Sequence, residues 1–187
     1  MNDPVAPESP PGFPPTRPVR VLLVEDVGWD AELIQSELAR LGKPFDVHIV
    51  ATEADFRVAL KDFAPDLILA DFSLPSFNGA TALSIARESR RDTPFIFVSG
   101  SIGEEQAVDL LRGGATDLVM KHNLRRLGPV VERALREVEL RAEARRAVQA
   151  LHESIDVLVS TKRAFKSRAL GELRSKLQRF VETIPWY

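Results

Sequence analysis

The sequence predicts an α/β domain built on a five-stranded parallel sheet wound with helices on both faces, followed by a helical extension. Three observations predict it. Short β-branched runs alternate with longer amphipathic stretches from Val19 to Arg126, the spacing of right-handed strand–helix–strand crossovers. The first of these runs, Val19-Arg20-Val21-Leu22-Leu23-Val24, is short, β-branched and apolar, which suits a strand buried on both faces. Beyond Pro129 the strand pattern stops and helical spacing replaces it.

Taken in order, Met1–Pro18 holds seven of the 13 prolines and few aliphatic residues, too little apolar surface to offset the entropy of ordering, so residues 1–18 are expected to form a disordered leader. Val19–Val24 is the first strand. Leu33, Ile34, Leu38 and Leu41 recur at helical spacing from Trp29 onward, and Gly42 suits the left-handed position after a helix. Asp46–Val50 is the second strand. Thr52 then offers an N-cap for a helix over Glu53–Phe63. Asp66–Ala70 is the third strand and delivers Asp71 at its end. A helix from about Ala80 to Ser89 leads to the fourth strand, Phe95–Val98. Glu104–Arg112 is a helix closed by Gly113-Gly114, and Asp117–Met120 is the fifth strand.

In the extension, Val131, Leu135, Val138 and Ala142, then Ala144, Val148, Leu151, Ile155 and Leu158, describe a long amphipathic helix with one slip in register near Arg145. Leu170, Leu173, Leu177, Phe180 and Ile184 describe a second, ending at Pro185. Between them Ser160–Ser167 reads as a solvated basic turn. The acids Glu172 and Glu182 that follow weaken a nucleic-acid reading of its lysines and arginines.

Composition removes several classes of function. Zero cysteines exclude disulfides, thiolate metal sites and cysteine nucleophiles, and suit a reducing cytoplasm. A formal charge of −2 provides no broad field for nucleic acid or an anionic membrane. No apolar run approaches the ~20 residues that cross a bilayer, and the acidic, proline-rich start is unlike a secretory signal.

In an open parallel sheet, chemistry is expected beyond the carboxyl ends of the strands. The first strand ends in Glu25-Asp26, the third in Asp71, the fourth in Ser99-Gly100 and the fifth in Lys121. Carboxylates crowded on one edge raise one another's pKa unless a cation intervenes. Oxygen donors without His or Cys select a hard divalent ion, Mg²⁺ or Mn²⁺. Lys121 adds a point charge and Ser99 a hydroxyl, both suited to phosphoryl oxygens. The set fits phosphoryl transfer to a carboxylate. Taken singly, each residue also has a plain structural use: Asp71 as a loop cap, Glu25-Asp26 as a surface pair, Gly79 as a turn with positive φ.

The succession Val24-Glu25-Asp26, Asp71-Phe72-Ser73-Leu74-Pro75 with Gly79, Ser99-Gly100, Gly114-Ala115 and Lys121 resembles the receiver domain of two-component response regulators, over about Val19–Leu127. The resemblance implies a sheet of order 2-1-3-4-5 with Asp71 as phosphoacceptor. It implies that Glu25, Asp26, Asp71 and the Ser73 carbonyl hold Mg²⁺, and that Ser99 and Lys121 contact the phosphoryl group. Two positions depart from the family. Leu118 stands where an aromatic rotamer switch is frequent, and it cannot donate a hydrogen bond. His122 stands where a cis proline is common, so a trans peptide is expected there. A sensor histidine kinase is the implied phosphodonor. Residues 128–187 are expected to act as dimerisation or partner-binding helices, without DNA binding. His152 is read as an ordinary helical histidine, because no ATP-binding region accompanies it. Ser73 also stands where an aspartyl phosphatase needs a second acid, so the chain is expected to be a phosphoacceptor and not a turnover enzyme. The competing expectation is a scaffold with the same fold that docks partners through its tail and no longer switches.

Overall fold

A computed structural model describes residues 17–74, 77–161 and 168–182. The leader up to residue 16, Pro75, the basic turn at 162–167 and the helix stop at Ile184-Pro185 lie outside the described residues. The elements are β1 (Val19–Val24), α1 (Gly28–Ala39), β2 (Phe45–Val50), α2 (Glu53–Asp62), β3 (Leu67–Ala70), α3 (Gly79–Ser89), β4 (Phe95–Ser99), α4 (Glu104–Arg112), β5 (Asp117–Met120), a 3-10 turn (Lys121–Arg126), α5 (Leu127–Thr161) and α6 (Arg168–Glu182). All five strands are parallel, in the order β2-β1-β3-β4-β5.

The unbroken apolar runs have the reason expected of them. Along the three central strands alternate residues enter opposite layers. Leu22, Val24, Ile68, Ala70, Phe95 and Phe97 meet α2, α3 and α4, whereas Val21, Leu23, Leu67, Leu69, Ile96 and Val98 meet α1 and the start of α5. Phe56, Phe77, Phe95 and Phe97 fill the first layer, with ring centroids 5.0 Å apart for Phe95–Phe97 and 5.3 Å for Phe56–Phe77.

Local signals end the helices. Thr52 caps α2 by accepting from the Asp55 N–H at 3.2 Å, and Asn78 caps α3 by accepting from the Ala80 N–H at 2.7 Å. Gly42 (φ 65°) and Gly114 (φ 100°) take the left-handed position after α1 and α4. Ala64 does so after α2 at φ 48°, with no glycine to relieve it.

One compact unit runs to Leu135 and a second begins at Arg136. The first extends past the expected edge at Leu127, because Leu127, Val130, Val131 and Ala134 of α5 are buried in the second core layer. In the second unit, Val148 and Ile155 of α5 are buried, and Leu151 of α5 and Leu177 of α6 pack against them. His152 Nδ1–H donates to the Val148 carbonyl at 3.0 Å, a backbone contact within its own helix. Among the described residues no helix is long and apolar enough to cross a membrane.

Candidate functional site

The strand register decides which residues meet at the carboxyl edge of the sheet. Val24 lies opposite both Val50 and Ala70, so Glu25 and Asp71 leave neighbouring strands side by side. The Asp71 N–H donates to the Val24 carbonyl at 2.9 Å, and the Glu25 N–H to that of Val50 at 3.0 Å. Ser99 lies opposite Met120, which places Lys121 just past the last paired residue of β5.

Lys121 closes the cluster. Its Nζ donates to Asp30 Oδ2 at 2.6 Å, Asp71 Oδ2 at 2.7 Å and Glu25 Oε2 at 2.8 Å, which uses every proton of the ammonium. The remaining oxygens are held by backbone: Asp71 Oδ1 accepts the Ser73 N–H and Glu25 Oε1 the Val27 N–H, each at 3.1 Å. Both acids are therefore oriented from two sides. The side chain of Glu25 is 0% exposed, that of Asp71 10% and that of Lys121 16%, so these charges interact with little water between them. Burial pushes the Glu25 carboxyl above its ordinary value despite its bonds to Lys121 and Val27. Burial also works against the Lys121 ammonium. The hydrogen bonds to Asp30, Asp71 and Glu25 outweigh it and hold that ammonium well above the ordinary lysine value.

The predicted residues fall into three groups. Glu25, Asp71 and Lys121 are in direct contact. Ser99 stands at the same edge, fully buried, with its hydroxyl donating to the Ser101 carbonyl at 3.0 Å. Asp26 and Ser73 are exposed beside them. The residue that sequence reasoning missed is Asp30, one helical turn beyond Asp26 and in the first turn of α1. The spacing Asp26 to Asp30 was the available signal. Lys121, expected at this edge to meet phosphoryl oxygens, here stands among the acids themselves.

Gly79 is corrected too. Its φ is not positive, and its function is space. A Cβ there would lie 2.6 Å from the Asp71 carbonyl oxygen and 2.9 Å from Phe72 Cα and the Phe97 ring. Only glycine lets α3 begin against the backbone of Asp71. Leu118 is half-buried and packs against the Phe95–Phe97 layer. The peptide joining Lys121 to His122 is trans, and the chain enters the 3-10 turn at once.

Among the described residues no three or more acidic, His or Cys side chains are grouped so as to hold a metal ion, and the buried acids are closed on Lys121. The chemistry of the donor set nevertheless fits a hard cation. Glu25, Asp71 and the neighbouring exposed Asp26 offer only oxygen, and one ammonium leaves their charge incompletely balanced.

The comparisons agree with this geometry. The family model described as the response regulator receiver domain matches residues 21–132. The luminescence regulatory protein LuxO of Vibrio campbellii is 36% identical over 124 residues, 65% of this chain and 27% of that protein. The regulatory protein AtoC of Escherichia coli is 32% identical over 136 residues, 72% of this chain and 29% of that protein. The chain thus matches under a third of the length of either relative. Among solved structures, the signal receiver domain of a LuxO repressor protein from Vibrio parahaemolyticus superposes with TM-score 0.63 at 29% identity, covering 68% of this chain and 98% of that one. A CheY-like receiver domain from Methanospirillum hungatei gives 0.60 at 28% identity, covering 67% and 99%. With the sheet order, the strand-end acids and the lysine already in place, these matches establish that the chain belongs to the response regulator receiver family.

Proposed function

We propose that this chain is a cytoplasmic response regulator that accepts a phosphoryl group from a sensor histidine kinase on Asp71 and signals through protein contacts of its helical extension. The observation that carries this reading is the contact of Lys121 Nζ with Asp71 Oδ2 at 2.7 Å on the carboxyl edge of the sheet. That pair sets a nucleophilic carboxylate beside a charge suited to phosphoryl oxygens. In the transfer, an Asp71 oxygen forms the new P–O bond as the P–N bond to the kinase histidine breaks. The electron pair of that bond stays on the imidazole, and an acyl phosphate results. Lys121 then turns the proton it shared with Asp71 toward a phosphoryl oxygen, and Ser99 is the hydroxyl donor on the opposite side. Glu25, Asp26, Asp71 and the Ser73 carbonyl are the residues that would hold Mg²⁺ or Mn²⁺, which when bound offsets charge on the phosphoryl oxygens. The protein is a phosphoacceptor, with at most its own phosphorylation and dephosphorylation as catalysis. Its output is homodimerisation or partner binding through α5 and α6, without DNA.

The test is acetyl phosphate with Mg²⁺ as donor, followed by intact mass. The unsubstituted chain gains one phosphoryl group, and Asp71→Asn gains none. An equal gain in both removes Asp71 as acceptor.

Leu118 favours one second reading, a receiver-like scaffold that no longer switches, since leucine packs but cannot hydrogen-bond as an aromatic hydroxyl does. Beryllofluoride with Mg²⁺ separates the two. A switching domain changes its amide spectrum or association state on binding it, and a fixed scaffold does not.

A further inference from the structure

Asp30 lies outside the receiver pattern, yet it makes the shortest of the three bonds to Lys121 Nζ, at 2.6 Å. It reaches the site from the first turn of α1, whereas Glu25 and Asp71 reach it from the ends of adjacent strands. With only those two strand-end acids, the ammonium would keep one proton unassigned, at the end of a flexible stem that loses much rotamer freedom when held. Phosphorylation of Asp71 removes one of the three acceptors. The N–H that faced it must then find a phosphoryl oxygen as its new acceptor while the ammonium stays on the sheet edge.

We infer that Asp30 is a positioning residue that pins Lys121 from the α1 side, so that the ammonium, still protonated, redirects the hydrogen bond it made to Asp71 onto the arriving phosphoryl oxygen without the lysine reorganising. The inference rests on the reading of Asp71 as phosphoacceptor. It differs from a merely structural use of Asp30, as a negative charge that favours the N-terminal turn of a helix, because that use does not pass through Lys121.

The experiment takes full-length protein, acetyl phosphate as donor and saturating Mg²⁺, and measures rate against donor concentration by intact mass. Asp30→Ala is expected to lower the maximal rate about tenfold, the scale of one charge-assisted hydrogen bond, with the half-saturating donor concentration unchanged. Asp30→Asn keeps an oxygen acceptor in place and is expected to recover most of that rate. In a Lys121→Ala background, Asp30→Ala is expected to add nothing. A readout independent of phosphorylation is the ¹⁵N-resolved ammonium resonance of Lys121, protected in the unsubstituted protein and lost to exchange in Asp30→Ala. An unchanged maximal rate in Asp30→Ala overturns the inference, as does full additivity with Lys121→Ala. If the unsubstituted chain takes up no phosphoryl group while the Lys121 resonance still depends on Asp30, the acceptor reading has failed and the pinning stands.

Discussion

Asp66 shows what one carboxylate contributes when its partners differ in exposure. It accepts from both terminal nitrogens of Arg17 at 2.7 Å and from the Arg20 N–H at 3.0 Å. Burial raises its pKa, but Arg17 and Arg20 outweigh burial and hold it below its ordinary 3.8. A depressed carboxylate stabilises the fold at pH above its unfolded value, and that stabilisation is lost as pH falls through the folded value. Asp66→Asn is therefore expected to cost about 1 kcal/mol at neutral pH, modest because Arg17 is largely exposed. Denaturant titrations should show the difference shrinking once the pH drops below 3.8. At this scale the site was partly legible. Glu25, Asp71 and Lys121 could be read because each directly follows a strand, and strand ends in a parallel sheet share an edge. Asp30 was signalled only by its spacing from Asp26, because its place depends on how the first turn of α1 meets that edge. Asp26, nearer in sequence, was the more obvious acid, yet it is exposed.

α3 starts in close contact with the backbone that follows β3. Gly79 brings the helix against the carbonyl of Asp71 and the ring of Phe97, and Arg87 at the other end of α3 donates to the Thr93 carbonyl at 2.8 Å and the Gly114 carbonyl at 3.0 Å. Gly79→Ala is expected to destabilise the domain by roughly 2–3 kcal/mol, the scale of overpacking, since two of the three atoms nearest the new methyl are backbone and cannot swing aside. Thermal unfolding measures that loss, and a fall in Asp71 phosphorylation would show that the displaced backbone carries the carboxylate with it. The elements themselves were the most legible feature of the chain. β1, α4 and β5 match their expected bounds, because apolar runs bracketed by polar or glycine residues leave one periodicity possible. Gly79 was misread because a glycine conserving space and a glycine permitting positive φ have the same letter. Nothing short of the packed neighbours separates them.

For the whole molecule, the extent of the receiver is set by burial and not by where strands stop. Val130 and Val131 lie in the core layer shared with α1, and each buried aliphatic of that size contributes about 1.5–3 kcal/mol against a total stability of roughly 5–15 kcal/mol. A chain ending after Leu127 is expected to be unfolded or aggregated, while one ending after Leu140 is expected to unfold cooperatively, as circular dichroism against denaturant can show. The expected edge at Leu127 followed the last strand, and a helix that is half core and half extension gives no break in its periodicity to mark the change. The sheet order has a consequence for how the site comes into being. Glu25 and Lys121 are separated by 96 positions, and β5 joins the sheet only through β4, at the edge away from β2. Contacts between such distant segments are slow to form, and synthesis delivers the early strands first. The charge set beside Glu25 and Asp71 thus comes from the last strand of the chain, so any opening of β5 from β4 leaves the nucleophile without the ammonium that makes it useful.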